Sequence, residues 1–242
     1  MKGVILAGGT GSRLGSLTTV LNKHLVAVGD VPMIEYPLRT LFRMGITDIV
    51  VVTGAEHAGT VLNYLTIRHP EIDFTYKIQK EAGGIAQAIG LVENICKDGN
   101  IAVVLGDNVF EDDFSEAARK FENSHAGAMF FLKEVPDPER FGVAEINDEG
   151  NILSIVEKPN NPKSNLAVTG LYLYDSSVFD KIRGIIPSAR GEYEVSDINQ
   201  RYISEGKAIS SKLSGFWSDA GTPKSRKVSS DFALDNNIFP VE

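Results

Sequence analysis

The sequence Gly3-Val4-Ile5-Leu6-Ala7-Gly8-Gly9-Thr10-Gly11-Ser12-Arg13-Leu14 decides the fold of this 242-residue chain. Its first five residues form a short, mostly apolar run, which predicts a strand that is buried on both faces. The glycines that follow predict a tight turn. A glycine-rich turn directly after the first strand of an α/β sheet brings backbone N–H groups together, and phosphates bind at such places.

Apolar runs and helical patterns alternate through the rest of the first half. Continuous buried runs separated by helices are typical of parallel strands joined by right-handed crossovers. The sequence therefore predicts an α/β fold with a Rossmann-like, mostly parallel sheet that carries helices on both faces. The predicted strands are 48–53, 74–79 and 101–105, and the predicted helices are 34–44, 57–65 and 85–96.

The second half has a different pattern. The segments 143–146 and 152–157 flank a turn at 147–150, which predicts a β-hairpin. Ser176 and Ser177 are candidate caps for a helix that follows a strand. No linker rich in Gly, Ser or Pro divides the halves, so we expect one domain whose later strands extend the same sheet. Further predicted strands are 128–132 and 167–174, and further predicted helices are 195–205 and 222–234.

Composition excludes several classes of protein. With 24 Lys+Arg against 32 Asp+Glu the net charge is −8, which argues against binding of nucleic acid along a basic face. A local cluster of cations can still bind a small anion. One cysteine, Cys96, excludes a disulfide framework and a cysteine-based zinc site. No apolar run approaches about 20 residues, so we expect a cytoplasmic protein that does not enter a membrane.

The glycine-rich turn fits neither of two familiar phosphate-binding motifs. A dinucleotide-binding turn has a third glycine where Leu14 stands, and a P-loop has Gly-Lys-Ser/Thr, which is absent. Instead Arg13 lies in the turn and Lys23 follows ten residues later. Two cations beside a glycine turn suit a triphosphate. The alternative is a plain strand–helix turn with two solvated charges.

Two aspartates are candidate metal ligands. Asp107 follows the strand 101–105 and lies at the same sheet edge as the glycine turn, where Mg²⁺ could bind through one or two carboxylates and phosphate oxygens. Asp219 precedes the helix 222–234 and is a second candidate. The alternatives are a turn residue for Asp107 and a helix N-cap for Asp219.

Three polar side chains at strand ends are candidate substrate contacts. Glu157 could accept hydrogen bonds from a sugar and Lys158 could bind its phosphate, although the two also fit a surface ion pair. The amide of Gln79 can both donate and accept, which suits the edge of a pyrimidine base. An ordinary polar strand end is the alternative for Gln79.

Taken together, these segments resemble the sugar-1-phosphate nucleotidyltransferases over nearly the whole chain. Each segment alone is a weak signal, whereas their order and spacing together are specific. The matching segments are 3–14, 22–25, 84–88, 105–108, 140–143, 157–159, 167–172, 187–192 and 217–222.

The resemblance implies a role for each matching residue. The nucleotide-binding residues are Leu6, Gly8, Gly9, Gly11, Ser12, Arg13, Lys23, His24, Gln79, Gly84 and Asp107. The sugar-phosphate-binding residues are Asn108, Gly142, Glu157, Lys158, Val168, Tyr172 and Trp217. The catalytic residues are Arg13, Lys23, Asp107, Lys158 and Asp219, of which Asp107 and Asp219 would hold Mg²⁺. The nucleotide-binding part would span about 1–125 and the sugar-phosphate-binding part about 126–242.

The implied reaction joins dTTP and α-D-glucose 1-phosphate to give dTDP-glucose and pyrophosphate, which would feed dTDP-sugar (for example dTDP-rhamnose) and cell-surface polysaccharide synthesis. The resemblance also implies a homo-oligomer, often a tetramer. One alternative is a uridylyltransferase that acts on another sugar 1-phosphate. A second is a protein that binds nucleotide sugars without turnover, and a third, a Rossmann oxidoreductase, is disfavoured by Leu14.

Two departures from the family's pattern stand out. Gly15-Ser16 replace a usual proline, which should loosen the entry into the following helix. His24 stands where many relatives have glutamine, and this change affects the side chain that would contact the nucleotide sugar.

Overall fold

The structure, a computed structural model, describes residues 1–9 and 11–239 of the chain. The strands are β1 (Lys2–Ala7), β2 (Ala27–Val28), β3 (Val31–Pro32), β4 (Ile49–Gly54), β5 (Thr75–Gln79), β6 (Ile101–Leu105), β7 (Asn108–Phe110), β8 (Ala128–Glu134), β9 (Gly142–Ile146), β10 (Ile152–Glu157), β11 (Leu166–Tyr174), β12 (Ala208–Lys212) and β13 (Trp217–Asp219). The helices are α1 (Glu35–Arg43), α2 (Ala58–Arg68), α3 (Ile85–Gly90), α4 (Glu93–Cys96), α5 (Ser115–Glu122), α6 (Val178–Arg183), α7 (Val195–Ser204) and α8 (Pro223–Asp235). Short 3₁₀ segments are Ser12–Thr18, Lys23–Leu25, Ala55–His57 and Pro138–Arg140.

One central sheet runs through both halves of the chain. Its strand order is β10-β9-β11-β6-β1-β4-β5, and β8 joins it by pairing with β11 and β12. The pairs of β1 with β4 and β6, and of β4 with β5, are parallel, as predicted. Strand β11 is antiparallel to β6, β8 and β9, and β9 and β10 form the predicted hairpin. The predicted α/β fold, with later strands extending the same sheet, is confirmed.

Helices cover the sheet on both faces because alternate side chains of β1 point in opposite directions. Val4 and Leu6 belong to a core cluster that also contains residues of α3, α6 and α7. Ile5 and Ala7 belong to a second cluster with residues of α1, α2 and α5. All four side chains are fully or almost fully buried, so each face of the strand contributes to the hydrophobic stabilisation of the fold.

Two local predictions were only partly right. The predicted helix 85–96 is divided into α3 and α4, and the chain leaves helical geometry at Val92, whose φ and ψ are −98° and 4°. Ser177 stands at the N-cap of α6, as predicted, but its side chain makes no capping hydrogen bond. The carboxylate of Asp175 instead accepts hydrogen bonds from the N–H (3.0 Å) and the hydroxyl of Ser177.

The single thiol lies inside the protein. Cys96 is 2% exposed at the end of α4, and burial raises the pKa of its thiol to about 11. The thiolate is therefore scarce at neutral pH, and the residue acts as a small apolar side chain. Across residues 1–9 and 11–239, no helix combines the length and apolar character needed to cross a membrane.

We predict opposite effects for the same substitution at two exposed glycines. Gly45 follows α1 with a φ of 75°, which lets the Ile46 N–H reach the Leu41 carbonyl at 3.0 Å. Gly45→Ala should lower the free energy of unfolding by about 1 kcal/mol, because a Cβ disfavours this conformation. Gly59 lies within α2 and has open space around it, so Gly59→Ala should raise the free energy of unfolding by about 0.5–1 kcal/mol. Urea denaturation of both variants measures the difference, and a shift of both in the same direction would contradict the prediction.

Candidate active site

The glycine turn leaves β1 at the carboxyl edge of the sheet. A Cβ on Gly8 would overlap the amide oxygen of Gln79, so a larger residue there would displace this amide. Gly11 has a φ of 70° and stands at the N-cap of the 3₁₀ segment Ser12–Thr18. Thr10 lies outside the described residues. The segment is interrupted at Gly15, whose φ of 64° breaks the helical geometry, in keeping with the looser entry expected where the proline is replaced.

Two cavities open side by side at this edge. The first, about 300 Å³, is lined by these predicted nucleotide-binding residues: Leu6, Gly8, Gly9, Arg13, Lys23, His24, Gln79, Gly84 and Asp107. The second, about 390 Å³, is lined by all the predicted sugar-phosphate-binding residues, namely Asn108, Gly142, Glu157, Lys158, Val168, Tyr172 and Trp217, together with Asp219. Arg13 and Asp107 line both cavities. Gly11 and Ser12 are not among the described residues that line either one.

An ion pair occupies the boundary between the cavities. The Lys23 ammonium lies 2.6 Å from Asp107 Oδ2, and both side chains are largely buried. Burial alone would favour the neutral carboxyl, but the Lys23 charge and hydrogen bonds from Lys23 and Asn108 outweigh it and hold the pKa of Asp107 well below its usual value. Asp107 is therefore a carboxylate at any pH near neutral.

Asp219 lies opposite Asn108 in the antiparallel pair of β13 with β7. Burial, helped by the neighbouring Asp107 carboxylate, raises the pKa of Asp219. Arg140 opposes this effect, since its guanidinium lies 3.3 Å from Asp219 and 2.7 Å from Asp137. No role was predicted for Arg140 from the sequence, although a cation two residues before Gly142 in a matching segment was a usable signal.

Asp107 and Asp219, the two expected magnesium ligands, lie on segments that contact each other. The Ala220 N–H donates to the Asp107 carbonyl (2.8 Å), which keeps the two segments together. Two carboxylates plus phosphate oxygens from a nucleotide are the ligands that Mg²⁺ prefers. In the part of the chain that the structure describes, no group of three or more His, Cys, Asp or Glu side chains could hold a metal, so a cation here would need substrate oxygens. It would also compete with Lys23 and Arg140 for the carboxylates.

Asn108 holds the middle of the site together. It is 2% exposed, and its amide oxygen accepts hydrogen bonds from the Gly170 N–H (2.9 Å) and the Trp217 indole N–H (2.7 Å). Its amide nitrogen donates to Asp107 Oδ1 at 3.0 Å. A Cβ on Gly170 would lie 2.6 Å from this amide, so glycine is needed there. Asn108 thus links β7, β11 and β13 and orients Asp107.

Glu157 and Lys158 reach the second cavity from the end of β10. The Lys158 ammonium lies 3.6 Å from Glu157 Oε1 and is half-exposed. Lys158 has a φ of 43°, and its N–H donates to the Phe141 carbonyl at 2.9 Å. Such a backbone conformation is costly for a non-glycine residue, and strained conformations of this kind cluster at functional sites. Burial, with a contribution from Glu194, raises the pKa of Glu157.

His24 forms part of the floor of the first cavity. It is 1% exposed, and burial together with the Lys23 charge lowers the pKa of its imidazole to about 3. The ring is therefore neutral at pH 7. Its Nδ1 lies 2.8 Å from the Asn22 amide oxygen, which fixes the ring in place.

Gln79 lies at the end of β5 and is 9% exposed. Its amide nitrogen donates to Gln87 Oε1 (2.9 Å) and, at 3.4 Å, to the Gly84 carbonyl. Gln87 stands in the matching segment 84–88, but no role was predicted for it. Its place in that segment, one helical turn after Gly83-Gly84, was the signal from which a role for Gln87 could have been predicted.

The comparisons with known proteins agree with this geometry. A sequence model described as nucleotidyl transferase matches residues 2–235. A glucose-1-phosphate thymidylyltransferase from Neisseria gonorrhoeae is 41% identical over 96% of this chain and 82% of its own length. The low-salt glycan biosynthesis nucleotidyltransferase Agl11 of Haloferax volcanii is 36% identical over 98% of this chain and 67% of its own length.

A solved structure resembles the whole chain. It is a Bacillus anthracis protein described as a candidate glucose-1-phosphate thymidylyltransferase, in complex with sucrose. Its TM-score is 0.92 at 49% identity, and the match covers 97% of this chain and 96% of that one. With two adjoining cavities at one sheet edge and these matches over nearly its full length, the chain belongs to the nucleotidyl transferase family.

Proposed function

We propose that this chain condenses dTTP with α-D-glucose 1-phosphate to form dTDP-glucose and pyrophosphate. The observation that carries the proposal is the pair of adjoining cavities that share Arg13 and Asp107. One is formed by a glycine turn suited to a triphosphate, and the other contains Glu157 and Lys158, suited to a sugar phosphate. The names of the relatives at about 40% identity support the same activity.

The chain's cations would guide the reaction. A phosphate oxygen of the sugar phosphate attacks the α-phosphorus of dTTP in line, and the bond from that phosphorus to the bridging oxygen of the pyrophosphate breaks. Lys158 would anchor the attacking phosphate, while Arg13 and Lys23 stabilise charge on the α-phosphate and the leaving group. No general base is needed, because a phosphate monoester with a second pKa of about 6 is already mostly dianionic.

Asp107 and Asp219 would hold Mg²⁺ in this reaction. When bound, the ion would neutralise the triphosphate and orient it. Asp107 suits the task because its pKa is held low, so the side chain is ionised at any pH near neutral, although the ion would have to displace Lys23 from it. Holding the two substrates in line could lower the barrier by roughly 7–11 kcal/mol.

The runner-up is a uridylyltransferase acting on another sugar 1-phosphate. Thymine and uracil carry the same hydrogen-bonding groups on the edge that Gln79 would contact, so Gln79 would distinguish dTTP from UTP poorly. A homo-oligomer, a cytoplasmic location and a role in dTDP-sugar and cell-surface polysaccharide synthesis stay predictions of the family resemblance.

Pyrophosphate release tests the proposed function. Purified protein with Mg²⁺ and α-D-glucose 1-phosphate is mixed separately with dTTP, UTP, ATP, GTP and CTP. We expect release with dTTP to exceed that with the purine nucleotides and CTP. Comparable release with UTP would favour the runner-up, and other sugar 1-phosphates would then be compared. Binding of dTTP with no release for any sugar would replace the enzyme with a nucleotide-binding protein.

Asp107→Asn should lower kcat at least about 100-fold while the fold stays intact, because a neutral amide replaces a charged metal ligand. Steady-state kinetics in Mg²⁺ measure the loss, and circular dichroism checks the fold. Asp231→Asn is the matched control, since Asp231 is exposed on α8 and pairs only with Lys227 among the described residues. Near-normal turnover of Asp107→Asn would remove Asp107 from the metal site.

Lys158→Ala should raise the KM for glucose 1-phosphate about tenfold or more, because a charge-assisted hydrogen bond to phosphate is lost. Lys163→Ala is the control, since Lys163 is exposed and pairs with Glu145 outside both cavities. Initial rates with each substrate varied in turn measure the effect. An increase confined to the KM for dTTP would mean that Lys158 contacts the other substrate.

A further inference from the structure

The amide of Gln79 presents different chemistry to a ligand depending on which of its atoms faces the first cavity. An outward nitrogen would donate a hydrogen bond, whereas an outward oxygen would accept one. Bases differ in this respect, because thymine and uracil carry an N–H at ring position 3 while cytosine has an acceptor there. The orientation of this amide therefore bears directly on which nucleotide can bind.

A backbone group fixes the orientation of Gln87 first. The Gly83 N–H donates to Gln87 Oε1 at 3.0 Å, and it also contacts the Glu81 carbonyl at 2.9 Å. A backbone N–H can only donate, so the atom of Gln87 that faces it must be the oxygen. Gly83 itself is held by the Tyr193 N–H, which donates to the Gly83 carbonyl at 2.8 Å. A Cβ on Gly83 would overlap the Gln87 amide, so this contact depends on glycine.

The orientation of Gln87 then decides that of Gln79. Gln87 Oε1 is an acceptor, so the Gln79 atom 2.9 Å away must be the donating nitrogen. The Gly84 carbonyl, a second acceptor, lies on the same side at 3.4 Å. A flipped Gln79 would bring oxygen against oxygen at both positions and lose both hydrogen bonds.

The Gln79 oxygen is left on the side of the glycine turn. It lies beside Gly8, where a Cβ would overlap it, and both residues line the first cavity as well as a smaller neighbouring cavity bounded by Gly54 and His57. From the residues that the structure describes, this oxygen accepts no hydrogen bond. An acceptor in this place matches a base whose edge presents an N–H.

We propose that Gln87 is a positioning residue that fixes the Gln79 amide with its oxygen toward the cavity, so that the site selects pyrimidines with an N–H at position 3 over cytosine. The inference rests on the proposed function and deepens it. Gln87 acts through Gln79, whose oxygen accepts a hydrogen bond from the base. Cytosine would place its ring acceptor against that oxygen, which costs binding because neither group finds a donor.

Two substitutions at Gln87 test the proposal. Gln87→Leu has similar bulk but no acceptor, which frees the Gln79 amide to turn. Gln87→Glu keeps an acceptor for both the Gly83 N–H and the Gln79 nitrogen. The measurements are kcat/KM for dTTP, UTP and dCTP with glucose 1-phosphate, and calorimetric Kd values for dTTP and dCTP. Circular dichroism melting compares the folds of the three proteins.

For Gln87→Leu we expect the preference for dTTP over dCTP to fall about tenfold or more, mainly through a higher KM and Kd for dTTP. The KM for glucose 1-phosphate should stay within about twofold, because the second cavity is untouched. Gln87→Glu should retain most of the wild-type preference. This split between the two variants is the signature of an acceptor role, which loss of packing alone would not produce.

Three results would overturn the proposal. An unchanged preference in Gln87→Leu would show that Gln79 keeps its orientation without Gln87, and the proposed function would still stand. Equal losses in the Leu and Glu variants would make Gln87 a packing residue. A wild-type protein that neither binds nor uses dTTP would overturn the proposed function itself, and this inference with it.

Discussion

The parallel pairing of β1 with β6 is the constraint on which the site depends. Leu6 and Leu105 are register partners, and the Gly106 N–H donates to the Leu6 carbonyl at 2.9 Å. Because the strands are parallel and end together, the glycine turn and Asp107 leave the sheet at the same edge. A shift of this register by one residue would turn each β1 side chain to the opposite face and separate the turn from the carboxylate.

Strand β11 connects this nucleotide-binding edge to the second cavity. It pairs antiparallel with β6 on one side and with β8 and β9 on the other, so the hairpin of β9 and β10 joins the same sheet. Glu157 and Lys158, far from Asp107 in sequence, thereby line a cavity that Asp107 also lines. Asn108 adds a polar connection, because its single amide bonds to Gly170 of β11 and Trp217 of β13.

Local sequence signals predicted much of this arrangement. The apolar run of β1, the hairpin and many of the residues that line the cavities could be predicted from the sequence, because each depends on short-range patterns or on a matching segment. The ion pair of Arg140 with Asp219 could not be predicted, since its partners are 79 residues apart and meet only in the folded protein. The contact of Gln79 with Gln87 was missed for a similar reason, because it joins the end of β5 to α3. The break of helix 85–96 had a local signal, since α3 ends at Gly90 and glycine disfavours the interior of a helix.

The burial of Cys96 has a practical consequence for studies of motion. Thiol-reactive dyes and spin labels need an accessible thiolate, and this side chain offers neither access nor a low pKa. The native chain should therefore give little background labelling while it remains folded. Two cysteines introduced at opposite rims of the cavities would carry the probes alone, so distances across the two cavities could be followed during substrate binding without first removing the natural thiol.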